Sequence, residues 1–155
     1  MFYPTQIREE ALKNFDCEVT IIGKPTEDKM SLLRESRVQY NVKTGLTDQQ
    51  IVEEYKKADI VSFISLFEGF GMIVIEANKV GRPVITSDIP VLREVAGDAA
   101  LFVNPTDIND MRNGFMALFE DAELRHSLVD KGYENVKRFA VDNILKQWEA
   151  LYNSI

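Results

Sequence analysis

Two periodicities of apolar and polar residues alternate along this chain. Short stretches at Glu18–Ile22, Val38–Val42, Ile60–Ser65, Pro83–Thr86 and Leu101–Val103 are strand-like, mostly bounded by glycine or short polar residues. Between them, Thr5–Phe15, Glu27–Glu35, a segment ending at Ala58 and Met72–Val80 are spaced as helices, with Pro4 near the start of the first. Thr47-Asp-Gln-Gln50 has the form of a capping box opening the helix that runs to Ala58. Gly81 is placed to terminate the helix that begins at Met72. Such alternation predicts an α/β fold, a parallel sheet with helices on both faces.

The pattern changes after Leu101–Val103. From Ile108 to Tyr152 only helical spacing remains, predicting a helical carboxy-terminal tail. Ile108, Met111, Phe115 and Leu118 form one stripe; Leu124, Leu128, Val136 and Phe139 form a looser second; Ile144, Leu145, Trp148, Leu151 and Tyr152 form the most regular. Aromatic side chains at this spacing usually serve packing, so Phe115, Phe119, Phe139 and Trp148 are expected in cores.

Composition narrows the function classes. The 155 residues suit one domain with a sizeable core. No apolar run reaches the length of a membrane span, and Met1-Phe-Tyr-Pro does not read as a secretory signal, so a cytoplasmic location is expected. A net charge of −7 argues against general nucleic-acid binding. Cys17 is the sole cysteine and His126 the sole histidine, which leaves no disulfide framework and no zinc-ligand set. Cys17 is expected to be a small buried residue and His126 to lie on the surface.

The candidate chemistry sits at Glu68-Gly-Phe-Gly-Met-Ile-Val-Ile-Glu76. A buried strand precedes it and a helix follows, so the two glutamates straddle a strand-to-helix turn. In open α/β sheets ligands bind at the carboxyl ends of strands. Gly69 and Gly71 allow close backbone approach, and the helix start offers N–H groups to an anion. Ionised glutamates accept hydrogen bonds from sugar hydroxyls. The combination suits a ligand with both phosphate and sugar hydroxyls, such as a nucleotide sugar. Ser87, Asp88 and Glu94 are read as structural, their oxygens serving loop and cap contacts.

Four motifs follow in register: Ser65-Leu-Phe-Glu-Gly-Phe-Gly-Met72, Glu76-Ala77, Gly81-Arg-Pro-Val-Ile-Thr-Ser87 and Glu94-Val-Ala-Gly-Asp-Ala-Ala100. Together they resemble the nucleotide-binding half of retaining glycosyltransferases of family 4, the group 1 glycosyltransferases with the GT-B fold. The resemblance extends over nearly all of the chain and implies the carboxy-terminal half of that fold. It implies that Glu68 faces the transferred sugar as the catalytic candidate and that Glu76 holds the ribose. Ser65, Gly69, Phe70, Gly71 and Met72 complete the implied donor site, with amides of Phe70, Gly71 and Met72 meeting sugar hydroxyls and diphosphate. Gly45 is implied to lie near the base. Ile64 replaces a frequent proline and Phe67 a frequent tyrosine. The donor is a UDP- or GDP-linked sugar, the acceptor a hydroxyl, the outcome retention, and no metal or other cofactor is implied.

The resemblance also frames what these residues lack. They are read as a single donor-binding domain over 1–155, truncated on its amino-terminal side, without the acceptor domain and without the basic pair that neutralises the diphosphate. Lys24 lies near the same rim, but spacing alone does not assign it that role. The 155 residues alone are therefore expected to bind donor without turnover, membrane association being open only for the parent enzyme. The family's first strand of this domain lies mid-sheet, and Met1-Phe-Tyr3 is too short to supply it. Either Glu18–Ile22 and Ile60–Ser65 then pair directly, giving five strands, or a second copy covers the edges; a homodimer is expected. Two alternatives remain at this point: a flavodoxin- or receiver-like binding module, and part of a GT-B sugar-nucleotide epimerase. The first would bring an acidic cluster or a flavin phosphate loop, and the second additional acid/base residues.

Overall fold

The computed structural model describes residue 12, residues 15–35 and residues 38–154. Most of the expected Thr5–Phe15 helix lies outside these residues, although Leu12 is helical. In chain order the elements are β1 (Glu18–Ile22), α1 (Glu27–Glu35), β2 (Gln39–Lys43), α2 (Asp48–Lys57), β3 (Val61–Phe63) and α3 (Met72–Lys79). There follow β4 (Val84–Ser87), α4 (Pro90–Ala96), β5 (Leu101–Val103), α5 (Ile108–Glu120), α6 (Ala122–Lys137) and α7 (Val141–Tyr152).

Local chemistry explains several boundaries. At α2, the Thr47 side chain accepts from the Gln50 N–H while the Gln50 side chain accepts from the Thr47 N–H, so the predicted capping box is formed. Asp107 caps α5 by accepting from Asn109 and Asp110, and Asp121 caps α6 by accepting from Leu124. Val80 caps α3, and Gly81 follows it at φ +70°. Helix α4 is absent from the expectations because its span is short and its signal weak; Pro90 at its first turn starts it. Strands β2 and β4 are displaced by one residue from the predicted stretches, and only Val61–Phe63 of Ile60–Ser65 is paired.

All strand pairings are parallel. β3, β4 and β5 pair in that order, and β1 pairs with β2. The central strands are buried on both faces, as parallel strands under helices must be. Val61, Phe63 and Val84 enter one core with Val74 and Ala77 of α3 and Leu92 and Val95 of α4. Ile64, Ile85 and Val103 enter the other with Met111, Phe115 and Leu118 of α5 and Leu128 of α6. Among the described residues β1 does not pair with β3, so direct closure into one five-stranded sheet does not occur. A cavity of about 710 Å³ lies where that pairing would be, lined by β1, β3, α2 and α5.

A polar clamp ties α3, α4 and α6 together. Asn78 and Asn135 are both buried, and the Asn135 amide donates to Asn78 Oδ1 and to the Val95 carbonyl at 3.0 Å each. Asn78 in turn donates to the Ala99 carbonyl at 3.3 Å. Gly132 permits this approach: a Cβ there would lie 3.0 Å from the Asn78 amide nitrogen. A buried amide needs such partners, because an unpaired one costs about 1–3 kcal/mol.

The tail departs from expectation at its end. Phe115 is buried, but Phe119 is 38% exposed and Trp148 is 52% exposed. Trp148 stacks on Tyr152 at 6.0 Å, with Ile144, Leu145 and Leu151 also exposed beside them. The heptad-like stripe on α7 is real, but no described element covers it, so periodicity alone overstated its burial. His126 is exposed, as expected. Cys17 is only half-buried; desolvation, then the charge of Asp16, push its thiol pKa up. No helix of the described residues is long and apolar enough to cross a membrane.

Gly114 gives a test of the packing between α5 and the sheet. A Cβ at this position would meet Val103 Cγ1 at 2.6 Å and Ile85 Cδ1 at 2.9 Å. Gly114→Ala should therefore destabilise the chain by about 1–3 kcal/mol from overpacking, despite a helix-propensity gain of about 1 kcal/mol. Denaturant unfolding of the two proteins measures the difference.

Candidate functional site

The loop from Ser65 to Gly71 carries the buried strand β3 into helix α3. Ser65 is buried, and its backbone N–H donates to Ser87 Oγ at 2.8 Å, which fastens the loop's root to the end of β4. The Ser65 hydroxyl is itself buried without a hydrogen-bond partner among the described residues, so it lies beneath the loop and not on its open face. Thr86 Oγ1 donates to the Phe63 carbonyl at 2.7 Å and adds a second rivet. Ser87 thus plays the structural role expected of it. Asp88 does too, through a two-pronged ion pair with Arg93 that holds its carboxyl below the usual range. Glu94 is exposed, and its carbonyl accepts from Arg138 at 3.1 Å.

Beyond Ser65 the loop emerges. Leu66, Phe67, Gly69 and Phe70 are exposed, Phe67 to 88%. Phe70 is held from behind by Phe139 in an edge-on ring contact at 6.0 Å. Gly71 then turns the chain with φ +97°, a left-handed conformation, and serves as the N-cap of α3. A Cβ on Gly71 would also lie 2.5 Å from Leu92 Cδ2. Both the dihedral and the space require glycine there. Because that cap has no side chain, no side-chain hydrogen bond closes the helix start.

The two glutamates behave differently. Glu68 is half-buried and curls back, its Oε1 accepting from the Gly69 N–H at 2.9 Å and the Phe70 N–H at 3.5 Å. The Phe70 amide, expected to face a ligand, is thus turned toward Glu68 in this conformation. Glu76 is exposed on α3, one turn past Met72, and its Oε2 accepts from the Tyr55 hydroxyl at 2.9 Å. Tyr55 is buried on α2, so the contact bridges α2 and α3. One oxygen of Glu76 is occupied from below, and the carboxylate is held in place. Burial first, then the Glu76 charge and the hydrogen bond, push the Tyr55 phenol pKa far above its ordinary value.

Sequence reasoning missed Tyr55. Its signal was faint: an aromatic residue on an otherwise charged helix, Ile51-Val-Glu-Glu-Tyr-Lys-Lys57, at an inward position. Gly45 and Lys24 are both exposed, in the loops after β2 and β1. The structure brings Ser65, Glu68, Gly69, Phe70, Gly71, Met72 and Glu76 into one turn and the helix leaving it. Gly45 and Lys24 stand on the separate β1–β2 pair. Among the described residues no group of three His, Cys, Asp or Glu side chains is disposed to hold a metal ion.

Comparison with known proteins identifies the fold that carries this turn. The family model described as "Glycosyl transferases group 1" matches residues 6–135. The chain belongs to this family. It is 30% identical over 100 residues to O-antigen chain mannosyltransferase B of Escherichia coli, over 64% of this chain and 26% of that one. It is 31% identical over 124 residues to O-antigen chain mannosyltransferase RfbU of Salmonella typhimurium strain LT2, over 80% of this chain and 31% of that one. The chain therefore spans less than a third of the length of these two relatives.

Among solved structures, HepE of Anabaena in complex with UDP and glucose superposes with a TM-score of 0.76 at 18% identity, over 95% of this chain and 43% of that one. The carboxy-terminal domain of a group 1 glycosyl transferase from Francisella tularensis superposes with a TM-score of 0.73 at 23% identity, over 86% of this chain and 77% of that one. Both structures share the architecture of this chain, which forms the Rossmann-like carboxy-terminal half of a GT-B fold. The family match decides against the flavodoxin- or receiver-like alternative.

The Tyr55–Glu76 contact has a spectroscopic consequence. The fold favours the neutral phenol, so its contribution is complete below the ordinary phenol value of about 10 and declines as pH rises above it. Tyr55→Phe should leave the phenolate absorbance titration unchanged near pH 10, because Tyr55 does not ionise there while the chain is folded. A titration that lost one tyrosine equivalent near pH 10 in the variant would contradict the assignment.

Proposed function

We propose that this chain is the donor-binding part of a retaining glycosyltransferase that moves a sugar from a UDP- or GDP-linked donor to a hydroxyl acceptor. The observation that carries the reading is the Glu76 carboxylate, held by Tyr55 one helical turn beyond a glycine-built helix start. A ribose diol needs a fixed acceptor, and Glu76 Oε1 would supply it with Oε2 engaged below. The helix start, uncapped by any side chain, would meet the diphosphate. Glu68 would face the transferred sugar as the catalytic candidate. It would first release the Gly69 and Phe70 amides, which would then serve the donor together with those of Gly71 and Met72. Ser65 would support the loop from beneath. The solved HepE complex, with UDP and glucose bound on a similar fold, supports this class of ligand.

The acceptor would be bound by the amino-terminal domain of a complete enzyme of this kind. Positive groups that neutralise the departing diphosphate are usually a large catalytic contribution. The turn from Ser65 to Glu76 carries no Lys or Arg, so the 155 residues by themselves should hold donor without turning it over. The reading invokes no resident metal, and nucleotide affinity should be insensitive to EDTA. A soluble cytoplasmic setting, where nucleotide sugars are made, fits the same chemistry.

Calorimetry tests the site. UDP or GDP should bind, and Glu76→Ala should weaken the affinity about tenfold or more, corresponding to roughly 1.5–3 kcal/mol for a hydrogen bond to a charged group. Glu68→Ala should weaken the nucleotide sugar more than the bare nucleotide. Equal nucleotide affinity in wild type and Glu76→Ala would remove Glu76 from the site, and sustained release of UDP or GDP by the 155-residue chain would refute the inactivity.

A further inference from the structure

One side chain holds the glycine turn that carries the candidate site. Between Glu68 and Met72 only Phe70 has a side chain, and glycines flank it on both sides. Glycines give a backbone more freedom than other residues allow. A Cβ on Gly69 would meet nothing within 4 Å, so no neighbour confines the chain at that point. The Phe70 amide, which a donor would use, is turned toward Glu68 at 3.5 Å. The Phe70 ring is the fixed part. It meets the Phe139 ring at 6.0 Å and 87°, the edge-to-face arrangement that aromatic pairs favour.

Phe139 has its own supports. It packs against the core that contains Val74 of α3 and Leu92 of α4. The Arg138 guanidinium lies over its ring, 5.2 Å from the centroid. That guanidinium donates to Asn135 Oδ1 at 2.8 Å and to the Glu94 carbonyl at 3.1 Å. The last four carbonyls of a helix have no partner within it. At the end of α4 all four find one. Arg93 accepts from the Gly97 N–H, Glu94 from Arg138, Val95 from Asn135 and Ala96 from the Ala99 N–H. The end of α6 therefore anchors α4, whose Leu92 leaves no room for a side chain at Gly71. Through Phe139 the same segment reaches Phe70. Two arms from Asn135 to Phe139 thus bear on the two residues that close the turn.

We infer that Phe139 is a positioning residue for the donor. It fixes Phe70 so that the Phe70 amide stands ready for the transferred sugar, while Glu68 is the partner that moves. The inference rests on the donor-site reading above and adds to it a residue far outside the glycine motif. A loop ordered beforehand loses less conformational freedom when its ligand binds. The effect falls on the sugar, because Glu76 would hold the nucleotide from α3, independently of the Phe70 ring.

The test is calorimetry with UDP and UDP-glucose and with GDP and GDP-mannose. Phe139→Leu keeps apolar bulk in the core but loses the ring edge. It should weaken the nucleotide sugar about three- to tenfold more than the bare nucleotide, the scale of one aromatic contact. Phe139→Tyr keeps the ring and should bind both as the wild type does. A purely structural role for Phe139 would change both affinities by the same factor, or neither, and either result would overturn the inference. Nuclear magnetic resonance of the wild-type chain adds a readout that needs no variant and decides alone if Phe139→Leu fails to fold. Cross-peaks between the Phe70 and Phe139 rings should persist with nucleotide sugar bound, while the Phe70 amide resonance moves. Loss of those cross-peaks on binding would overturn the inference whatever the variants do. Failure of the wild-type chain to bind any of the four ligands would sink the donor-site reading and this inference with it. If Glu76→Ala weakens the nucleotide but Phe139→Leu does not discriminate, only this inference falls.

Discussion

Burial of β3 and β4 on both faces is the constraint from which the site follows. Val61 and Phe63 face one core and Ile64 the other, while Val84 and Ile85 divide in the same way. A strand in that position cannot carry charge within its length, so polar chemistry is displaced to its carboxyl end. There the chain must leave the sheet sharply, because α3 packs directly over the strands it follows. Gly71 resolves the conflict with a left-handed turn that Leu92 leaves no room to decorate. The absence of a side chain at this cap is thus a packing requirement first, and it leaves the helix start without a side-chain partner.

The glutamates owe their different states to the same geometry. Glu68 lies within the exposed loop, where its only described hydrogen bonds are to its own following amides. Glu76 lies on α3, which is clamped through Asn78 to α6 and to the chain entering β5. The Tyr55 hydroxyl then locks Glu76 from a second helix. A group that orients a ligand benefits from such fixation, whereas a group that approaches the reacting sugar can afford local rearrangement. The structure therefore separates a rigid anchor from an adjustable neighbour within nine residues, from Glu68 to Glu76.

The two half-sheets differ in how they are held. β3–β5 is enclosed by α3 to α6 and the two cores, whereas the β1–β2 half reaches those cores through few side chains, among them Val19 of β1 and Val38 just before β2. Gly45 and Lys24 sit on that looser half. Any contribution they make to ligand binding depends on how that half-sheet is positioned.

Much of this architecture was legible in the residues, because its signals are local. Glu18–Ile22, Glu27–Glu35 and Leu101–Val103 have the predicted bounds, and Thr47 and Gln50 form the reciprocal cap that their spacing announced. The glycine-bracketed turn between a buried strand and a helix needs only neighbouring residues to be recognised, and so does the family pattern around it. What required the tertiary structure was every relation between distant segments. Tyr55 meets Glu76 across 21 positions and Asn135 meets Asn78 across 57, and neither pair has a periodicity to reveal it. Ser65, equally legible as part of the motif, proved to be buried because β4 lies against its backbone. The stripe on α7 shows the reverse limit. Its spacing specifies an amphipathic helix, but Trp148 remains half exposed because amphipathicity states which face seeks a partner, and only the assembled fold decides whether one is there.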